Sequence, residues 1–452
     1  MIEPNLKSYY YSRSFKCLSR VLLSRRSDVD KVPFPKKSSL KLRWSAAQRI
    51  IRNDGISELI RIVLFRVLLK SGAFFWKRRA RAQLLSLLRT SKYHPLIMIG
   101  TLDWAYPFQQ RSHHLARALA RLGRTVIYVS PRHGRDRILS AGEVFPGVFL
   151  TPHINEALEA ITNPIVYIAS TDALSLPHVL EAVQGANGHI VYDYLDHLDS
   201  TISNGELSSR FQEAHNRILR DEAVASVLTS ADILYEEVAK LRRKGLALVT
   251  NAVDVPHFAA HKDPDKLRPA LKAIVDRKQP IIGFFGALAS WVDVDLIAAV
   301  ARTRPSYQFV LMGPMLVNAP ARIGELPANV SILEPVSYKE LPNQAVFFDV
   351  LTIPFYLNDV TAATSPLKLF EYMALGKPIV STPIRESLKY DVVLIGRDRD
   401  SFAAAIDRAL ELRTDPLYVE HLQQIAAQNS WDNKALMVSN LIKGVGCRRE
   451  LC

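Results

Sequence analysis

The chain has 452 residues, 48% hydrophobic and 23% charged, with a formal net charge of +14. That length exceeds one ordinary core and fits two domains with an extension. Three cysteines, Cys17, Cys447 and Cys452, exclude a disulfide framework and any paired metal-ligand spacing, so no metal is expected and a reducing compartment is the simplest setting.

The charge lies at one end. Residues 1–95 hold 22 Lys and Arg against 5 acids, a net +17, and the rest of the chain is −3. No signal-peptide pattern follows Met1. Phe15, Leu18 and Leu22 recur at helical spacing, Val32-Pro33-Phe34-Pro35 reads as an extended break, and Ala46 to Lys70 is helical again. Arg61, Arg66 and Lys70 interrupt the most apolar run, Leu59 to Trp76, so no spanning helix is expected there. Lys77-Arg78-Arg79-Ala80-Arg81 then leads into Leu84 to Leu88. This basic helical extension, 1–94, is expected to meet an anionic membrane surface, at roughly 1 kcal/mol per basic residue near lipid. Nucleic acid is not expected as a partner, because no recognised binding motif accompanies the charge.

The texture changes at Pro95. Leu96 to Ile99 reads as a buried strand, His113 to Leu122 as a helix ended by Gly123, and Thr125 to Val129 as the next strand. Ile165 to Ala169 and His189 to Tyr192 follow as strands, and Ser208 to Ser226 as a helix. The alternation restarts near Pro280. Ile281 to Phe285 is a strand running into Gly286, and Val294 to Arg302 is a helix. Gln308 to Met312, Val330 to Leu333, Asp349 to Ile353 and Ile379 to Ser381 are further strands, and Glu411 to Cys452 forms terminal helices. The expected fold class is α/β, with two Rossmann-like doubly wound domains facing a cleft. Their spans are 95–252 for the first, or acceptor, domain and 253–415 for the second, or donor, domain, with terminal helices over 416–452.

Residues Ser365 to Val380 carry the strongest local signal. Ser365-Pro366 reads as a helix start, with Ser365 as cap and Pro366 and Leu367 opening the first turn. Lys368 and Glu371 are three apart and share a face. A helix N-terminus beside a lysine suits a diphosphate, and a carboxylate one turn on can accept hydrogen bonds from two ribose hydroxyls. The plain alternative is a capped helix with an intrahelical Lys–Glu pair. Gly286 and the loop from Asn358 to Thr361 are placed beside the same ligand. In the first domain, Trp104 to His114 follows the first strand, and Arg111 and His113 are expected at donor phosphate or acceptor hydroxyls. Asp193 or Asp196 is expected as general base on an acceptor hydroxyl, with His197 as partner. A solvated helix start and an N-cap carboxylate are the plain alternatives here.

These pieces together resemble glycosyltransferase family 4, the glycosyl transferases group 1. Glu371 with Ala374-Leu375-Gly376-Lys377-Pro378-Ile379-Val380 is similar to the second half of that family's "E-x7-E … G-x-P-V-V" motif. Gly283-Phe284-Phe285-Gly286, Asn251-Ala252-Val253-Asp254 with His257-Phe258, and Ser430-Trp431 match three further pieces in order. Two positions depart from the pattern: Ala363 stands where the first Glu would be, and Ala287-Leu288 stand where a basic pair would begin. The Trp104–His114 motif resembles a divergent subset that makes cell-surface polysaccharide. The resemblance implies a GT-B fold and transfer from a nucleoside-diphosphate sugar, with no separate cofactor, to a glycan or lipid-linked acceptor. It implies a cytoplasmic enzyme held peripherally on the inner face of the plasma membrane. A nucleotide-sugar 2-epimerase or a non-catalytic scaffold of the same fold are the competing classes.

Overall fold

The computed structural model describes residues 71–446 and most of 57–68, apart from residue 90 and residues 92–93, 132–134, 171–175, 198–207, 260–261 and 317–325. The expectations for Phe15, Leu18, Leu22 and the Val32–Pro35 break lie outside the described residues.

The last part of the basic extension is docked on the body. Helix α1 (Ala73–Leu88) buries Ala80 and Leu84 in the core of the first sheet. From there the first unit runs β1 (Leu96–Ile99), α2 (Arg111–Arg121), β2 (Val126–Val129), β3 (Gly142–Phe145), β4 (Val148–Thr151) and α3 (Ile154–Ala160). It continues with β5 (Ile165–Ala169), α4 (Leu176–Gly185), β6 (His189–Tyr194), α5 (Ser209–Arg220), β7 (Ala225–Thr229), α6 (Asp232–Ala239) and β8 (Leu246–Leu248). Lys77 and Arg81 of α1 reach Glu156 and Glu159 of α3. The eight strands order as β3-β4-β2-β1-β5-β6-β7-β8, with only β3 antiparallel.

The second unit holds α7 (Val255–Phe258), α8 (Pro269–Val275), β9 (Ile281–Phe285), α9 (Val294–Thr303), β10 (Gln308–Met312), β11 (Val330–Leu333) and α10 (Leu341–Ala345). Then come β12 (Val350–Ile353), α11 (Asp359–Ala362), α12 (Leu367–Ala374), β13 (Ile379–Ser381), β14 (Val393–Ile395) and α13 (Arg399–Leu412). Its six strands order as β11-β10-β9-β12-β13-β14, all parallel. The strand bodies are continuous apolar runs because helices cover both faces. In such sheets ligands bind beyond the carboxyl ends of the strands.

Two terminal helices divide their allegiance. Helix α14 (Pro416–Gln428) packs Leu422, Ile425 and Ala426 into the second core. Helix α15 (Trp431–Gly446) returns to the first, where Trp431, Ala435, Val438 and Ile442 join the cluster with Leu115 and Leu119 of α2. The two crossings of the chain are tied together: Val253 N–H donates to Asn429 O (3.0 Å) and Trp431 N–H to Val253 O (3.1 Å).

One expected element is corrected. The helix expected from Ser208 to Ser226 ends at Arg220, and Ala225–Thr229 is the buried strand β7. A short apolar run such as Ala-Ser-Val-Leu-Thr has no periodicity that separates strand from helix.

Candidate functional site

The second sheet makes a tight bed at its carboxyl edge. Gly286 ends β9 at φ +138°, where a side chain is strained. A Cβ on Gly313, after β10, would lie 1.9 Å from the Gly286 carbonyl oxygen, so the two strand ends touch backbone to backbone. Lys368 of α12 lies over this turn. Its Nζ sits 5.3 Å from the centre of the Phe284 ring and 4.9 Å from that of Phe355. Cation–π contact with two rings fixes the ammonium without neutralising it.

Lys368 and Glu371 are the exceptional pair. Neither side chain has a hydrogen bond or ion pair of 4.0 Å or less among the described residues. Burial pushes the Glu371 carboxyl up to about 7, and the charge of Lys368 only partly offsets this. Burial pulls the Lys368 ammonium down to about 8, again partly offset by Glu371. Most buried polar groups have a partner in the fold, so a charged pair held this way is suited to a ligand that supplies the missing bonds. Tyr338 closes one side: its ring stacks on His257 (4.2 Å), and its N–H donates to Pro107 O of the first unit (2.9 Å).

The helix start differs from expectation. Helix α12 begins at Leu367, and Pro366, extended at ψ 124°, is its N-cap without a side-chain cap bond. Ser365 does not cap. Its hydroxyl accepts the Asn251 N–H (3.2 Å), and its carbonyl accepts Asn251 Nδ2. Leu367 packs toward the first core. Asn358 and Thr361 also serve elsewhere, since each caps the other across the four-residue α11. The Thr361 hydroxyl donates to Tyr356 O and is buried, so it is turned into the loop rather than toward a sugar or phosphate.

Three expected residues of the first unit are buried and satisfied. Arg111 binds Asp193 in a bidentate pair, Nε–Oδ2 2.6 Å and Nη2–Oδ1 3.1 Å. Tyr167 donates its hydroxyl to the same carboxylate. The remaining Arg111 donors go to Val249 O (2.7 Å), Thr250 O (3.0 Å) and Asn251 Oδ1 (3.2 Å). Arg111 therefore grips the interdomain linker rather than phosphate, and Asp193 has no free oxygen for proton abstraction. His113 is no better placed. Its Nδ1 accepts the Gln110 N–H at 3.2 Å and its Nε2 faces Asp103 O at 3.1 Å. Burial drives its ring down to about 4, so it stays neutral as part of the helix cap. His114 stacks on Trp431 at 5.3 Å.

Asp196 is placed differently from Asp193. It follows β6 at the carboxyl edge of the first sheet and is half-buried. Burial pushes its carboxyl up to about 6, against a hydrogen bond from Thr364 of the second unit and with the charge of Asp193 adding to the rise. His197 is not its hydrogen-bond partner but pairs with Glu237 (2.7 Å). Thr364, Tyr338 and Phe355 had no signal in the sequence, because their roles arise from contact between distant segments.

The chain is similar to several known proteins. The family described as glycosyl transferases group 1 matches residues 279–412. TuaH of Bacillus subtilis (strain 168), named as a teichuronic acid biosynthesis glycosyltransferase, is 28% identical over 260 residues. The match takes in 54% of this chain and spans 64% of the length of that curated relative. Among solved structures, sucrose-phosphate synthase from Thermosynechococcus elongatus superposes with a TM-score of 0.58 at 15% identity, over 78% of this chain and 99% of that one. Anabaena HepE in complex with UDP-glucose gives 0.57 at 15% identity, over 78% and 100%. The fold is GT-B, with two Rossmann-like units, as the resemblance implied.

Proposed function

We propose that this chain is a glycosyltransferase that moves a sugar from a nucleoside-diphosphate sugar to an acceptor in cell-surface glycan synthesis. The observation that carries the reading is the Lys368–Glu371 pair above the Gly286 turn, neither member of which has a hydrogen bond or close ion pair among the described residues. The family match over 279–412 falls on the same unit. Lys368 and the first N–H groups of α12 would hold the diphosphate, and Glu371 would accept the ribose hydroxyls. Asp196 would take the proton of the acceptor hydroxyl as its oxygen bonds to the sugar C1 and the C1–O bond to the diphosphate breaks. The nucleoside diphosphate then leaves with that electron pair. The name of TuaH supports a polysaccharide acceptor, and a lipid-linked acceptor would agree with the basic extension meeting the cytoplasmic face of the membrane. No helix among the described residues is long and apolar enough to cross a membrane.

A non-catalytic reading has one observation in its favour. Ala363, in place of a carboxylate, is fully buried against the core of the first unit. The experiment that decides is donor titration by calorimetry with UDP-, GDP- and TDP-sugars, followed by detection of nucleoside diphosphate released in the presence of membrane extract. Donor binding with release would support the enzyme, and donor binding without release, or no donor binding at all, would favour the scaffold.

A further inference from the structure

The described residues between 60 and 85 present two opposite apolar faces, and only one is used. Residues 60–65 and 67–68 are helical, and Gly72 N–H donates to Leu68 O (3.2 Å) and Trp76 N–H to Gly72 O (2.9 Å), the i to i+4 spacing of a helix, on either side of the Gly72 turn. At about 3.6 residues per turn, Ile62, Ala80 and Leu84 fall on one side, and all three are buried. Ile60, Leu64, Val67, Leu68, Phe74 and Phe75 fall on the other, and all six are exposed; Phe74 is 80% and Phe75 58% accessible. Exposed apolar stripes of this kind mark an interaction surface. Arg61 and Arg79 border the stripe on one flank and Arg81 on the other, and all three are exposed.

We infer that this face is the membrane-inserting surface of the protein. It would lie in the plane of an anionic bilayer, with Phe74 and Phe75 seated below the headgroups. The inference rests on the membrane reading given above and names the residues that perform it. Charge selects the occupant. Residues 1–95 carry a net +17, so a second copy of this chain would bring like charge onto like charge, whereas anionic headgroups complement it. Cations flanking an apolar stripe are the pattern of an interfacial helix, and long arginine side chains reach back to headgroup level. Because Ala80 and Leu84 pin α1 to the first unit, insertion would fix the orientation of the body as well as its location.

The test is co-sedimentation of the full chain with vesicles of phosphatidylcholine alone or mixed with phosphatidylglycerol, at low and high salt. Three proteins are compared: wild type, F74S/F75S, and Leu417→Ser, which removes an equally exposed apolar side chain on the second unit. Wild type and Leu417→Ser should bind the anionic vesicles and retain part of that binding in high salt. F74S/F75S should lose about tenfold or more in partitioning, most visibly in high salt where the electrostatic part is screened. Both phenylalanines are exposed, so the variant should melt like wild type. If F74S/F75S partitions like wild type, the inserting face is wrong and the electrostatic reading stands. If no protein binds either vesicle, both readings fall. If wild type dimerises in light scattering and F74S/F75S does not, the face belongs to a second copy and the inference is overturned.

Discussion

The Cε of Lys368 occupies the space that a Cβ on Gly286 would need: the two would lie 2.8 Å apart, with Nζ at 3.2 Å. A glycine at the end of β9 is thus the condition for a lysine of α12 to rest on Phe284 and Phe355.

It follows that Gly286→Ala should act through Lys368. The added methyl displaces the ammonium and strains a backbone at φ +138°. We expect Gly286→Ala and Lys368→Ala each to weaken nucleoside diphosphate binding by about tenfold or more, and binding of the bare nucleoside much less. Calorimetric titration with both ligands reads this. Equal losses for the two ligands would mean that Lys368 does not meet the diphosphate.

Glu371→Gln should separate binding from stability. The Glu371 carboxyl is raised from 4.5 to about 7 in the fold. A raised carboxyl stabilises the fold below its unfolded value and loses that contribution as pH rises through about 7, so at pH 8 its ionised form is a cost. Lys368 is lowered from 10.5 to about 8; its contribution is present above 10.5 and lost as pH falls through about 8. Between these values both groups are charged in a poorly hydrated place. Glu371→Gln should therefore raise the stability of the free protein at pH 8 by roughly 1–3 kcal/mol, read as a higher Tm. Donor binding should fall by about ten- to a hundredfold as the charged acceptor is lost. A lower Tm at pH 8 would show that Glu371 is bonded within the fold.

Asp196→Asn should lower kcat by about 10²–10⁴ while the donor Kd stays near wild type, since a general base acts on the acceptor proton. With its carboxyl pushed up to about 6, wild-type kcat should rise with pH through that value and level off above it, because the base works when ionised. A pH–rate profile flat between 5 and 7 would remove Asp196 from this role.

The placing of Lys368 and Glu371 on one helix face was legible because it is local. Lys368 and Glu371 sit three apart on one short helix, and Gly286 ends a strand whose apolar run is plain. The first unit was harder to read. Trp104 to His114 looked like a ligand-facing motif since Arg and His at a helix start suit phosphate. Instead, Arg111 reaches the linker at Val249 to Asn251, about 140 residues away in sequence. Nothing within eleven residues of Arg111 signals that contact. Asp193 and Asp196 were equivalent in sequence. They differ in the fold because Asp193 lies inside β6, paired with Arg111, whereas Asp196 lies just past its end.

Arg111 and Asp193 are almost wholly buried, and breaking a buried, hydrogen-bonded pair by removing one partner costs about 3–5 kcal/mol, because it strands the other charge. Asp193→Asn and Arg111→Met should each destabilise the protein on that scale. The double variant Arg111→Met with Asp193→Leu should recover a good part of the loss, since no charge is then left unpaired. Arg111→Lys should not rescue, because one ammonium cannot replace the forked donors that reach Asp193, Val249, Thr250 and Asn251 together. Folded protein of the double variant should still bind nucleoside diphosphate, since Arg111 has no exposed donor to offer a phosphate. Chemical denaturation of the four variants, with diphosphate titration of the double, reads both claims. A stable double variant that no longer binds diphosphate would return Arg111 to the donor site and make its grip on the linker secondary.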